Sequence, residues 1–292
     1  MSRICLLAQA KNEDHYLQEW IDYHLKLKFD DIVIIQDDWK ANIKEDSRVH
    51  LVNGDIKENI PHDRKQMRYY SNFIKKHNRD YDWIAIFDID EYLYIRNCDD
   101  IHKFLDPKID CASICCHWRF FGDSGITEIN GDYRIVDRFI RSNKKCDNTF
   151  KSIYNMNQLR SLIGQKNLDT VDLLIVHEFK NITVNNIRLL DHQYGMDGKS
   201  KVVFDYKNRN IEELENSVNI GYLAHYRKSY PEFVERYTRS HSEWWTNFKK
   251  SLNYDMKKAF DTLCPPTINE VENKDLVNFI HDKNKCQVST IR

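Results

Sequence analysis

Three stretches of this chain are apolar without interruption: Ile4–Ala8, Ile32–Ile35 and Trp83–Phe87. A strand with one face in water alternates apolar and polar residues, whereas a strand covered on both faces does not. Between these runs lie segments of helical period. Residues 13–27 bring Leu17, Trp20, Ile21, His24 and Leu25 onto one face behind an acidic first turn, Asp63–His77 reads as a second helix, and Val49–Val52 is a candidate strand. Buried strands separated by helices predict an α/β fold with a mostly parallel central sheet and helices on both faces. The middle of the chain, at Ala112–Trp118, Arg134–Phe139, Phe150–Tyr154 and Leu173–His177, reads as further strands with irregular connections. From about residue 230 the pattern turns helical and aromatic, over Tyr230–Phe248, Tyr254–Leu263 and Lys274–His281. The expected organisation is an α/β domain over 1–230 and a helical extension over 231–292.

Charge narrows the function classes. The 292 residues carry 44 Lys and Arg against 45 Asp and Glu, a net charge of −1, and a general nucleic-acid binder would show a basic excess. The longest purely aliphatic stretches are Ile32–Ile35 and Leu173–Val176, far short of the roughly 18 residues a membrane helix needs. The N-terminus breaks into charge too early for a secretory signal, so a cytoplasmic location is expected, with the eight cysteines reduced and the Asn181 sequon silent.

In open α/β sheets, ligands bind beyond the carboxyl ends of the strands. Three predicted strands end in polar residues that would share one rim: Gln9-Ala10-Lys11-Asn12-Glu13, Asp37-Asp38 and Asp88-Ile89-Asp90-Glu91. In the last, two carboxylates two residues apart can turn toward one divalent cation, and Mg²⁺ or Mn²⁺ favours such oxygen ligands. The competing reading is that Asp88 and Asp90 cap a following helix. Aspartyl-phosphate phosphatases also place two such carboxylates after a strand, but with Thr or Val four positions after the first; here that position is Tyr92. A sugar-1-phosphate nucleotidyltransferase would carry a glycine-rich first loop, and AQAKNED has no glycine.

Six ordered blocks carry a resemblance: K-N-E-x-x-Y-L-x-E-W-I-x-Y-H (Lys11–His24), W-I-A-I-F-D-I-D-E-Y-L (Trp83–Leu93), W-R-F-F-G-D-S-G (Trp118–Gly125), F-K-S-I (Phe150–Ile153), I-V-H-E-F (Ile175–Phe179) and A-H-Y-R-K-S-Y-P-E-F (Ala224–Phe233). Over residues 3 to about 240 the chain resembles glycosyltransferases of the GT-A fold, the family 2-like and family 92-like enzymes. The resemblance implies sugar transfer from a nucleotide-diphosphate donor, UDP-hexose being the expected one, with Mn²⁺ or Mg²⁺ and inversion at the anomeric carbon. The expected acceptor is a glycan, lipid-linked or protein hydroxyl; the alternative to an enzyme is a non-catalytic sugar-nucleotide-binding scaffold of a glycan-assembly complex. Asp88 and Asp90 match the metal- and diphosphate-binding pair, and His177 the late histidine that completes metal coordination. Lys11, Asn12 and Glu13 match the turn that cradles the nucleotide, and Asp37 or Asp38 the acid facing base or ribose. Arg64 and Gln66 fall where polar residues reach the donor, and His225, Tyr226 and Lys228 where a second block meets the diphosphate.

An inverting transfer also needs a base for the acceptor hydroxyl. Asp123 and Asp137 are the leading candidates, with Asp147 and Glu178 behind them. Trp118 suits either sugar stacking or core packing. His24 is expected to be a hydrogen-bonded core histidine. Cys115, Cys116 and His117 resemble a metal site only superficially, because neighbours on a strand point to opposite faces. Lys249, Lys250, Lys257 and Lys258 read as a solvated helix face, or, with Trp244, Trp245 and Phe248, as a peripheral contact with membrane or a large acceptor.

Overall fold

In a computed structural model of the chain, residues 2–56, 60, 62–126, 134–147, 149–170, 183–184, 187–188, 193–200, 219–227, 229–239 and 243–281 are described. The uninterrupted apolar runs become the middle of one sheet. Strands β1 (Ile4–Ala10), β2 (Asp31–Gln36), β3 (Val49–Asn53) and β4 (Trp83–Ile86) lie parallel in the order β3-β2-β1-β4. Every residue of β1, β2 and β4 is buried. β3, at the sheet edge, leaves Leu51 and Val52 in solvent.

Helix α1 (Asp14–Lys26) covers one face and α2 (His62–His77) the other, which is why no polar alternation appears in the central strands. Alternate residues of β1 separate cleanly, Ile4, Leu6 and Ala8 to the α1 side and Cys5 and Leu7 to the α2 side. α1 is pinned to β5 (Glu91–Ile95) by two buried bonds, Trp20 Nε1 to the Glu91 carbonyl at 2.8 Å and Tyr23 Oη to the Leu93 carbonyl at 2.7 Å. His24 is a buried histidine whose Nδ1 lies 2.9 Å from the Trp20 carbonyl. Burial lowers its pKa to about 3, so the ring is neutral and belongs to the core.

After β5 come α3 (Ile101–Leu105) and the nine-residue β6 (Ser113–Phe121), then α4 (Ile135–Arg138), β7 (Arg141–Ser142), β8 (Phe150–Asn155), α5 (Met156–Ile163) and α6 (Gln165–Leu168). β8 inserts antiparallel between β4 and β6. Two-residue strands follow: β9 (Thr183–Val184) and β10 (Ile187–Arg188), paired with each other, and β11 (Gln193–Tyr194), parallel to the start of β6. β12 (Gly221–Tyr226) runs antiparallel to β5 and parallel to the second half of β6. β6 therefore changes partners midway, holding β8 through His117 and β12 from Trp118 onward. The α/β class with a mostly parallel sheet stands as expected.

One expected strand is a helix. Over Arg134–Phe139, Ile135, Val136 and Phe139 are buried on one side of α4, and the Glu19 carboxylate of α1 accepts from the amides of Ile135 (2.8 Å) and Val136 (3.2 Å). Those amides have no partner within a four-residue helix, and a carboxylate from another element satisfies them. The expected strand Leu173–His177 lies outside the described residues.

The C-terminal helices α7 (Tyr230–Arg239), α8 (Glu243–Ser251) and α9 (Met256–Leu263) bury Phe233, Tyr237, Ala259, Phe260 and Cys264 among themselves. The chain then returns to the sheet as β13 (Val271–Glu272), paired with β7, and α10 (Asp275–His281), whose Phe279 ring lies 5.1 Å from Tyr23. Lys249 is not on the solvated face assigned to it: it is buried with its ammonium 4.7 Å from the Tyr237 ring. Trp245 packs inward on Phe233 and Phe248. None of the helices is long and apolar enough to cross a membrane among the described residues.

Candidate active site

The parallel strands deliver their polar ends to one rim. At the end of β2, Asp37 is almost fully buried and gathers cations: Lys11 from the end of β1 at 3.6 Å and Lys65 from α2. Lys65 also reaches Asp38 at 3.2 Å, and the Tyr69 hydroxyl lies 3.4 Å from Asp37. Burial alone would depress the Lys65 ammonium, but its hydrogen bonds to Asp37 and Asp38 win and raise it above the ordinary lysine value. Asn12 and Asp38 both turn through the left-handed region, at φ 55° and 49°, where Asn and Asp are the best tolerated residues after glycine. Glu13 opens α1, its carbonyl accepting from Tyr16 and Leu17.

Four residues of α2 thus face the rim. Lys65 and Tyr69 reach the β2 end, while Gln66 reaches Asp88 past β4 and Tyr70 reaches β1, as the spacing of three and four along a helix allows. Gln66 donates to Asp88 Oδ1 at 3.0 Å and lies 3.2 Å from the Tyr70 hydroxyl, which in turn accepts from the Gln9 amide at 3.0 Å. Arg64, one position away, is exposed.

The segment after β4 does not lead into a helix; a tight turn passes directly into β5, so Asp88 and Asp90 cap nothing helical. Instead they form a compact charged group. Lys151 of β8, with its side chain 0% exposed, donates to Asp88 Oδ2 at 2.9 Å and lies 3.8 Å from Glu91 Oε1. Glu91, also 0% exposed, accepts the Asp88 amide at 2.8 Å. Burial pushes Glu91 well above the usual carboxylate range against the pull of Lys151. Burial likewise works against the Lys151 charge, but Asp88 and Glu91 outweigh it and the ammonium stays protonated. Asp88 remains 33% exposed.

On the other side of the turn stands His225, paired in register with Glu91 on β5 and Phe120 on β6. Its Nε2 lies 3.8 Å from Asp90 Oδ1, too far for a hydrogen bond but a span that two ligands of one small divalent ion can have. Trp118 and Phe120 flank the imidazole, with ring centroids at 4.4 and 5.4 Å. Among the described residues no three His, Cys, Asp or Glu side chains form a metal-holding group. The donor set fits a magnesium-type ion that keeps waters and substrate phosphates as its remaining ligands, since such ions are held through one or two carboxylates. Asp90 and His225 are the pair that would meet it, with Asp88 bonded to Lys151 and Gln66 beside them. His177 and Lys228 lie outside the described residues, as does Glu178.

The two candidate bases are elsewhere engaged. Asp123, past the end of β6, accepts from the Gly125 amide at 3.0 Å and from Asn269 Nδ2 at 2.7 Å, closing a turn in which Ser124 and Gly125 both have positive φ. Asp137 on α4 meets His281 Nε2 of α10 at 2.8 Å. Along the rim the structure joins Lys11 to Asp37 and Asp38, Gln66 to Asp88, and Asp90 and Trp118 to His225, while Asp137 is bonded to His281.

Sequence reasoning missed Lys65 and Lys151 as members of the rim, and it placed Glu91 there without a role. A lysine inside an otherwise buried strand, Phe150-Lys151-Ser152-Ile153, was the one available signal, because a buried charge requires a partner.

No family model and no curated protein matches the chain. Solved structures similar to it include S. aureus TarS, at 12% identity over 55% of this chain and with a TM-score of 0.31. The chain spans 29% of the length of TarS. Core-mannan synthase A from Aspergillus fumigatus, in its Mn/GDP form, is 9% identical over 66% of this chain and 72% of its own, with a TM-score of 0.38. An active-site mutant of LgtC is 11% identical over 85% of this chain and 95% of its own, with a TM-score of 0.35. Likenesses this distant carry no argument about the chemistry, which rests on the rim.

Proposed function

We propose that this chain is a glycosyltransferase that takes a sugar from a nucleotide-diphosphate donor, UDP-hexose in the first instance, and passes it with inversion to a glycan, lipid-linked or protein hydroxyl. One observation carries the reading: a cluster of paired charges at the β1 and β2 ends and two carboxylates just past β4 share one sheet rim, bridged by α2. Asp37, Asp38, Lys11 and Lys65 offer the acceptors and donors that a ribose and base require. A divalent ion between Asp90 and His225, with Asp88 adjoining, would neutralise charge on the departing diphosphate. Gln66 fixes the orientation of Asp88, Trp118 holds the His225 ring, and Lys228 and His177 belong to the same reading by their blocks. Asp123, at the carboxyl end of β6, is the base we favour over Asp137, because β6 ends on this rim beside Tyr226, whose amide donates to the Asp90 carbonyl at 3.0 Å.

The test is a thermal-shift screen of UDP-, GDP-, dTDP- and CMP-sugars with and without Mn²⁺. A ligand confined to the folded state adds about 2.7 kcal/mol at a hundredfold excess over Kd. A Mn²⁺-dependent rise for one nucleotide class is expected. No rise with any nucleotide, together with no sugar release from any donor, overturns the proposal.

A further inference from the structure

The Asp88 carboxylate already has a cation. Lys151 reaches it from inside the protein, at 2.9 Å and with no exposure to solvent, while Gln66 takes the other oxygen at 3.0 Å. We infer that Lys151 is a resident counter-ion that weakens the rim's hold on a free divalent ion, so that metal is captured together with the nucleotide diphosphate and not before it. The inference rests on Asp88 and Asp90 forming the ion-binding face.

The physical argument is competition for one carboxylate. An ammonium in contact with Asp88 spends that side chain's charge and repels any second cation placed on the same group, and at the edge of a protein interior this repulsion is only partly screened. Asp90 and His225 are then the remaining protein ligands, at 3.8 Å from each other. A magnesium-type ion bound by so few protein groups completes its shell with phosphate oxygens. The diphosphate supplies the negative charge that Lys151 has cancelled. Lys151 itself cannot touch the donor, because it is sealed beneath Asp88, so it is a positioning residue acting through that side chain. Its own place is fixed by backbone register: Lys151 is paired with Cys116 of β6, and its neighbour Ile153 with Ala85 of β4.

The experiment measures Mn²⁺ affinity without nucleotide, by the loss of the free-ion paramagnetic resonance signal, in wild type, Lys151→Arg and the double variant Lys151→Met/Glu91→Gln. The double variant removes the buried ammonium together with the acidic proton site facing it, with little change of shape. It is expected to bind free Mn²⁺ at least about fivefold more tightly than wild type, since a cation is no longer facing a cation. Lys151→Arg, which keeps the charge, is expected to stay near wild type. A residue with only a packing role would leave the affinity unchanged or lower it, and either result overturns the inference. Should the double variant fail to fold, Lys151→Gln/Glu91→Gln, which keeps a hydrogen-bonding group at both positions, carries the same expectation. UDP and GDP binding in the presence of Mn²⁺ separates the two levels: nucleotide bound without the gain in the variant removes the inference and leaves the function, whereas no nucleotide bound removes both.

Discussion

The two halves of the rim handle charge in opposite ways. At the β1 and β2 ends a buried pair, Lys65 and Asp37, is edged by exposed charge: Lys11 is 43% exposed and Asp38 70% exposed, and both side chains can exchange a partner for water or ligand. At the β4 end the cation comes from inside, and Lys151 and Glu91 have no exposure at all. Exposed pairs contribute little to folding and rearrange readily, whereas a buried pair is costly to break from one side. The outer edge of the β1 and β2 half, Lys11 and Asp38, is therefore adaptable, and the carboxylate half is fixed.

The largest effect expected is on donor binding. Asp90→Ala should weaken Mn²⁺-dependent nucleotide binding by about a hundredfold, with the fold intact by circular dichroism. Calorimetric titration checks this, and a variant with unchanged metal dependence breaks the assignment. Next comes stability. Lys151→Met should cost about 3–5 kcal/mol in urea unfolding, because it strands Asp88 and Glu91, while Lys11→Met should cost less than about 1 kcal/mol. Equal costs would erase the contrast between the halves.

A smaller effect tests the support beneath the rim. Burial raises the Glu19 carboxyl to about 7 against its two amide bonds from α4. The folded state binds this proton more tightly than the unfolded state does. Its contribution is thus fully present below about pH 4.5 and is lost as pH rises through about 7. Glu19→Gln should flatten the decline of Tm between pH 5 and 7.5, and a parallel decline in the variant would count against it. On donor binding the smallest effect concerns the base: Asp123→Asn should retain binding while losing transfer, and Asp137→Asn should leave both near wild type, as measured by donor titration beside product formation.

The parts legible in the sequence were those whose chemistry and position come from the same short segment. Asp37, Asp38, Asp88 and Asp90 each follow a buried strand directly, so the strand's apolar run announces where the carboxylates end up. Gln66 was within reach because it lies on a helix that follows β3. Lys151 acquires its role only through β8 settling antiparallel beside β4, a pairing across 68 positions of sequence from Ala85 to Ile153 that no local pattern encodes. α4 was unreadable for a related reason: its first amides are satisfied by Glu19, more than a hundred positions earlier. Arg138 in the same helix likewise finds Glu232 of α7 at 3.2 Å.

The change of partners along β6 makes that strand a ruler. Cys116 sets the height of Lys151 through β8, and Phe120, four residues on, sets the height of His225 through β12. At the rise of an extended chain those two marks are about 13 Å apart along the strand. The spacing between the inner cation and the outer imidazole is thus written in hydrogen-bonded backbone, indifferent to which side chains fill the loops around it. Inserting or deleting a single residue between Trp118 and Phe120 would shift one mark against the other and turn the Phe120 position to the opposite face.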